Sequence, residues 1–164
     1  QGVANRLSRQ SGLLLISGCD KINPAMLMGA ARVNRPAVFL GGGMGHNMCP
    51  GVGLGTALTM QCLAEALGMA LFQTATTFAT DHPHRMLAQQ SGAALVNLVR
   101  KGITPSDIMT REAFENALRV NMAIGGSINS FLHVPAIANE VGISITAEDF
   151  DRIVRPEKMV KPGD

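Results

Sequence analysis

Four apolar residues in succession, Leu13-Leu14-Leu15-Ile16, are followed after a short gap by a segment that runs through Met26, Met28 and Ala31. The first run reads as a short buried strand. Asn23-Pro24 reads as the helix start, with asparagine as N-cap and proline in the first helical position. Pro36 to Leu40 is a second apolar run, bounded by proline and by Gly41-Gly42-Gly43. The opening segment is therefore strand, helix, strand, the unit of a parallel sheet. Its ligand edge would carry Cys19-Asp20-Lys21 and the glycine loop together.

Further along, Leu58, Cys62, Leu63, Ala66 and Leu67 predict a helix over 56–70, with Cys62 on its apolar face and Gly68 near its end. Residues 71–80 show no period and read as a loop. A helix over 83–100 is predicted to bury Met86, Leu87, Leu95, Leu98 and Val99 and to stop at Gly102. Thr104-Pro105-Ser106-Asp107 opens a short helix, and Thr110 caps another through Phe114, Leu118 and Met122. Ser130 to Glu140 forms the next, ended by Val141-Gly142, and Thr146-Ala147-Glu148-Asp149 opens a last short one. The fold class is thus α/β, a parallel sheet with flanking helices. Residues 1–154 read as one domain and 155–164, with two prolines and a glycine, as a tail or severed linker.

Composition narrows the functional classes. With 46% hydrophobic and 16% charged residues, a chain of 164 residues can bury a core and is not a disordered segment. Its formal charge of +2, with Lys and Arg scattered, gives no footprint for nucleic acid or an anionic membrane. Apolar stretches of four to five residues fall far short of the roughly 20 that cross a bilayer. No export signal opens the sequence, so a cytoplasmic location is expected. Three cysteines, Cys19, Cys49 and Cys62, argue for reduced or metal-bound thiols over a disulfide framework. Without Trp or Tyr there is no stacking platform for bases or sugars, while ten Met suit adaptable packing.

The chemistry concentrates in Cys19-Asp20-Lys21. A thiolate suits an iron-sulfur cluster, a carboxylate suits magnesium, and a lysine becomes an anionic ligand once carbamylated. The bland alternatives are that Asp20 caps the next helix, Lys21 is a solvated cation and Cys19 is a small core residue. Gly41-Gly42-Gly43-Met44-Gly45 and Gly51-Val52-Gly53-Leu54-Gly55 suggest a nucleotide-phosphate loop, although neither completes the G-x-G-x-x-G spacing. His46, Cys49, Cys19 and Cys62 are conceivable zinc donors without a paired-ligand spacing. His82-Pro83-His84 reads as a surface helix start, and His133 as a partly buried histidine.

Around Gly18-Cys19-Asp20-Lys21, the residues Pro24, Met26-Leu27-Met28, Ala30-Ala31-Arg32, Asn34 and Pro36-Ala37 make this segment resemble the dihydroxy-acid and sugar-acid dehydratases. The resemblance continues through Thr56-Ala57-Leu58-Thr59-Met60, Leu63 to Met69 and Pro105 to Ala117. Gly125-Gly126-Ser127-Ile128-Asn129, followed by Leu132-His133 and Ala136-Ile137-Ala138, is similar to the family's glycine-glycine-serine-threonine-asparagine signature, with Ile128 in place of threonine. The resemblance implies the amino-terminal α/β domain of a hydro-lyase that converts a 2,3-dihydroxy acid or sugar acid to a 2-keto-3-deoxy acid. It also implies Cys19 as a cluster ligand, Asp20 and Lys21 as magnesium ligands, Lys21 being a candidate for carbamylation, and Ser127, Asn129 and His133 near the active site.

The sequence departs from the family pattern in ways that shape the expectation. Only His46-Asn47-Met48 lie between Gly45 and Cys49, where relatives carry a long insertion, and the cysteine expected shortly after Pro50-Gly51 is missing. Cys49 is the candidate replacement. The family segment with the first cluster cysteine and another magnesium ligand, and the carboxy-terminal barrel with a glutamate ligand and the serine base, have no counterpart in these 164 residues. The chain alone is therefore expected to hold no stable cluster and to need a complementary dehydratase polypeptide for turnover. A homodimer is a further possible partner. The competing expectations are a non-catalytic α/β module and a nucleotide-binding domain.

Overall fold

A computed structural model describes residues 11–45 and 55–154. Strand β1 (Leu13–Ser17) pairs in parallel with β2 (Ala37–Gly41), in register from Leu13 opposite Ala37 to Ser17 opposite Gly41. Helix α1 (Ile22–Val33) is the crossover between them, as parallel neighbours require. It ends where Asn34 turns left-handed (φ 47°), and the Asn34 amide fastens to Ser106 in both directions, at 3.0 and 3.1 Å. On the far side of β2, the Phe39 N–H donates to the Met69 carbonyl at 2.7 Å, so the chain leaving the next helix borders that strand.

Helix α2 (Thr56–Ala66) is followed by turns through 71–80, then α3 (His82–Lys101), α4 (Pro105–Ile108), α5 (Arg111–Ala123), α6 (Ser130–Glu140) and α7 (Ala147–Val154). The sequence signals placed these elements because their caps are local. Thr104 and Asp107 form a capping box on α4, and the Thr110 hydroxyl accepts the Ala113 N–H on α5. The core lies on the side of the sheet held by α1, α2, α5 and α6, with Leu27, Phe39, Leu63, Phe114 and Ile137 fully buried. α1 and α6 are also clamped by a two-pronged ion pair, Arg32 to Glu140, at 2.6 Å on each prong.

Two burial expectations are corrected. Helix α3 buries only His84 and Ser91; Met86 is 42% exposed, and Leu87, Leu95, Leu98 and Val99 are half-buried. The helix lies over a face two strands wide, about one helix diameter, so its apolar flanks overhang the sheet. In α5, Asn121 takes the inward position of the last turn and Met122 is 40% exposed.

A network of charges fastens α7 to α5. Arg152 donates to Glu115 at 2.7 Å, Arg111 pairs with Asp149 and donates to the Ser144 carbonyl, and Phe150 stacks on Phe131 at 4.1 Å. The hydrogen bond from Arg152 holds the Glu115 carboxyl below its ordinary value, and the Thr146 N–H does the same for Asp149. Depressed folded-state values mean that this stabilisation is complete above the unfolded carboxylate range, about pH 4, and is lost as pH falls through it and below. The thermal midpoint should therefore drop between neutral pH and about pH 3. The drop should shrink in Glu115→Gln/Asp149→Asn, and equal drops in both proteins would remove the network from the acid response.

Candidate metal and substrate site

The two strands deliver their following loops to one edge. The Gly42 N–H donates to the Ser17 carbonyl at 2.9 Å, and a Cβ on Gly42 would lie 3.2 Å from the Gly18 Cα, so the loops run back to back. Gly18 leads into Cys19, Asp20 and Lys21, all at the surface or only partly covered. The Cys19 thiol donates to Asp20 Oδ1 at 3.2 Å and the Lys21 N–H to the same oxygen at 2.8 Å. These two hydrogen bonds, with the charges of Lys21 and His133, hold the Asp20 carboxyl below the usual carboxylate range. Asp20 is therefore an anion at neutral pH, a hard oxygen donor at the carboxyl end of a parallel strand.

Helix α1 begins one residue before the predicted cap. Lys21 is the N-cap and offers no side-chain cap, while Asn23 and Pro24 are buried in the first turn. Asn23 is fully buried because its Nδ2 donates to the Ala57 carbonyl at 2.9 Å, tying the start of α1 to the start of α2. Among the described residues its buried Oδ1 has no hydrogen-bond partner.

Ser127 and Asn129 converge on that same start of α2. The Thr56 hydroxyl shares a 2.7 Å hydrogen bond with Ser127 Oγ and accepts from Asn129 Nδ2 at 2.9 Å. The Ser127 N–H donates to Thr59 Oγ1 at 3.0 Å. Asn129 is also the N-cap residue of α6, which carries His133 one turn on, within electrostatic reach of Asp20. Asn23 thus joins the β1–α1 turn to the start of α2, Thr56 joins that start to Ser127 and Asn129, and His133 lies within electrostatic reach of Asp20.

The glycine loop is held from inside. Gly43 has φ +77°, and a Cβ there would sit 2.7 Å from the Thr77 carbonyl. The N–H groups of Gly42, Gly43 and Met44 go to the Ser17 carbonyl, Gln61 Oε1 and the Thr77 carbonyl, at 2.9, 2.9 and 2.8 Å. Three successive amides spent internally leave none of them to cradle a phosphate, which opposes the nucleotide reading for this loop. The second glycine stretch lies almost wholly outside the described residues, as do His46 and Cys49.

Cys62 is half-buried in α2 and lines an apolar cavity of about 410 Å³ with Glu65, Phe72 and Val120; burial pushes its thiol up. His82 is exposed at the start of α3, whereas His84 is buried and pairs through Nδ1 with the Thr77 hydroxyl at 2.9 Å. Sequence reading also missed Gln61 and Glu65. The Glu65 carboxylate accepts from Gln73 N–H, Thr74 Oγ1 and Ala75 N–H, at 3.0, 3.1 and 2.5 Å, and so shapes the turn-rich segment. Polar residues on an otherwise apolar helix, Thr59, Gln61 and Glu65, were the available signal.

Asp20 fits magnesium by its chemistry, and Lys21 fits it once carbamylated. Among the described residues, no three His, Cys, Asp or Glu side chains gather to hold a metal ion. Cys19 is the one thiol at this edge among the described residues. A single thiolate does not make a cluster site.

The sequence model of the family described as "Dihydroxy-acid/6-phosphogluconate dehydratase N-terminal" matches residues 3–52 and 44–160. A dihydroxy-acid dehydratase of Methanococcus maripaludis is 41% identical over 196 aligned positions, covering 93% of this chain and 36% of the relative. That of Caldicellulosiruptor bescii is 42% identical, covering 87% and 33%. The dehydratase of Methanobrevibacter smithii is 40% identical, covering 88% and 34%. The chain spans about a third of the length of the curated relatives it matches. An alignment of 196 positions to a chain of 164 residues requires residues in the relative without counterpart here, and the family match breaks within 44–52.

Proposed function

The chain belongs to the dihydroxy-acid/6-phosphogluconate dehydratase family, and on that premise we propose that it forms the metal-holding wall of a hydro-lyase acting on a 2,3-dihydroxy acid. The product would be a 2-keto-3-deoxy acid. The observation that carries this reading is the anionic Asp20, beside Lys21 and Cys19, on the sheet edge where the starts of α2 and α6 also meet.

In this reading Asp20 and carbamylated Lys21 hold magnesium, which when bound would polarise the substrate carboxylate and hydroxyl oxygens. Asn23 keeps the Asp20 turn at a fixed distance from α2. Ser127 and Asn129 lock onto Thr56 and so orient the first turn of α2, whose leading N–H groups have no intrahelical acceptor and suit a carboxylate. The base that removes the proton at carbon two is assigned to a complementary dehydratase portion. The relatives, of which the chain spans only about a third, support that division of labour. A second reading, a non-catalytic module that keeps the fold, draws support from Cys19 being the one thiol at the edge among the described residues.

Manganese titration followed by electron paramagnetic resonance tests the metal assignment. Asp20→Asn should weaken binding by at least about tenfold, the loss seen even for residues one shell removed from a metal. Equal affinities would remove Asp20 from the site. Anaerobic incubation with dihydroxy acids, magnesium and iron, followed by carbonyl trapping, tests catalysis. Keto acid is expected only when the complementary portion is present, and turnover that then survives both Asp20→Asn and Lys21→Ala would sink the proposed roles.

A further inference from the structure

Gln61 lies on α2 among apolar residues and is 3% exposed. A side-chain amide buried in this way needs hydrogen-bond partners, and the partner it finds shows what it holds. Gln61 Oε1 accepts the Gly43 N–H at 2.9 Å. Strand β2 makes room for that contact. A Cβ on Gly41, the last residue of the strand, would lie 2.4 Å from the same oxygen and 3.0 Å from Gln61 Cγ. No positive φ is involved at Gly41, so glycine there answers to the space that the Gln61 amide takes.

From Gly43 the contacts run on to the Asp20 turn. The Gly42 N–H donates to the Ser17 carbonyl, and a Cβ on Gly42 would come within 3.2 Å of the Gly18 Cα. With no side chain on either glycine, a shift of one loop passes to the other as direct backbone contact. Ser17 is buried, and its hydroxyl accepts a long hydrogen bond, 3.5 Å, from the Cys19 N–H. Cys19 and Lys21 in turn hold Asp20 Oδ1. Along this path Gly42 and Met44 are fastened to main-chain carbonyls, which no substitution removes, whereas Gly43 is fastened to a side chain. Gln61 is therefore the point at which the sequence sets where the loop sits.

We propose that Gln61 is a positioning residue for the candidate metal edge: by fixing Gly43 it seats the glycine loop against Gly18 and so places the turn that presents Asp20. The inference rests on the reading of Asp20 as a metal ligand and adds a residue from the middle of α2 to it. Helix α2 then holds the turn from both sides, through Gln61 and the glycine loop before Asp20 and through Asn23 and the Ala57 carbonyl after it. A turn held at both ends keeps its carboxylate in place without burying it.

Manganese titration read by electron paramagnetic resonance, together with the amide shifts of Gly18, Cys19 and Asp20 in the metal-free chain, tests the proposal. Gln61→Met keeps the reach of the side chain without its acceptor. It should move those amide signals and weaken manganese binding about two- to thirtyfold, the range for residues coupled through a packed network. Gln61→Glu, which keeps an oxygen at the same reach, should return the signals part of the way. Gly41→Ala pushes the Gln61 amide aside from the other direction and should move the same signals, but add little in a chain that also carries Gln61→Ala, where the space is open. Phe114→Leu loosens the core away from the loop and should leave both readouts where they are. Unmoved Cys19 and Asp20 signals in Gln61→Met and Gly41→Ala would overturn the proposal, as would moved signals with unchanged manganese affinity, or equal changes in Phe114→Leu. Equal affinities of the wild type and Asp20→Asn would instead remove the metal assignment, and the amide signals would still decide whether Gln61 sets the turn.

Discussion

Phe114→Ala should lower the unfolding free energy by about 3–5 kcal/mol, a large share of the roughly 5–15 kcal/mol that holds an ordinary domain together. Phe114 is wholly buried on the first turns of α5, and it shares one core with Met60 and Leu63 of α2 and Ile137 of α6. Removing the ring leaves a cavity that three helices line, and the backbone of α5 is fixed at that point by the Thr110 cap. Little collapse is therefore available, which places the cost in the upper part of the range for aromatic truncations. Phe114→Leu, which keeps most of the volume, should cost under about 1.5 kcal/mol. Phe72 supplies the control: it is 79% exposed, and Phe72→Ala should change stability by no more than about 0.5 kcal/mol. Urea midpoints at constant slope measure all three. A Phe114→Ala loss no larger than that of Phe72→Ala would mean that α5 does not anchor the core.

The contrast between these two phenylalanines marks what was legible in the sequence. Phe114 stands in a helical apolar stripe behind a capping threonine, whereas Phe72 stands in a segment without period. The same local logic found β1, β2 and the turn that carries Cys19, Asp20 and Lys21, because a short apolar run bounded by glycine or proline has few other uses. It failed for Asn23. Asparagine before proline is a good local cap, but here a hydrogen bond to Ala57, far along the chain, takes the side chain into the core. No local pattern reports such a partner. Helix α3 failed for a related reason: its periodicity names the face turned toward the sheet, and the width of the sheet decides how much of that face is covered. Ser127 and Asn129 became candidates through the family signature, and the role of Thr56 and Thr59 in holding them emerged only from the packing of α2 against the Gly125-Gly126 turn.

That turn gives the largest effect expected near the candidate site. Gly125 is left-handed, with φ +60°, but Gly126 is not, so the requirement for glycine at 126 is one of space. A Cβ at this position would lie 2.2 Å from Asn121 Oδ1 and 2.9 Å from Thr59 Cγ2. Neither neighbour can easily retreat. Asn121 is 2% exposed and tied by Nδ2 to Ser130 Oγ at 2.9 Å, while Thr59 is fully buried and its hydroxyl receives the Ser127 N–H. Gly126→Ala should therefore cost about 1–3 kcal/mol as overpacking, and it should displace Ser127 from both Thr59 and Thr56. Pairing it with Asn121→Ala separates the clash from other causes. Removing the Asn121 amide opens the space that the new methyl group needs, so the double variant should be more stable than the sum of the single losses predicts, with a coupling of at least about 0.5 kcal/mol. Strict additivity would show that the alanine is accommodated without touching Asn121. Amide shifts of Ser127 and Asn129 provide the second readout: they should move in Gly126→Ala and return part of the way in the double variant. Unmoved shifts would detach this turn from the assembly of the site.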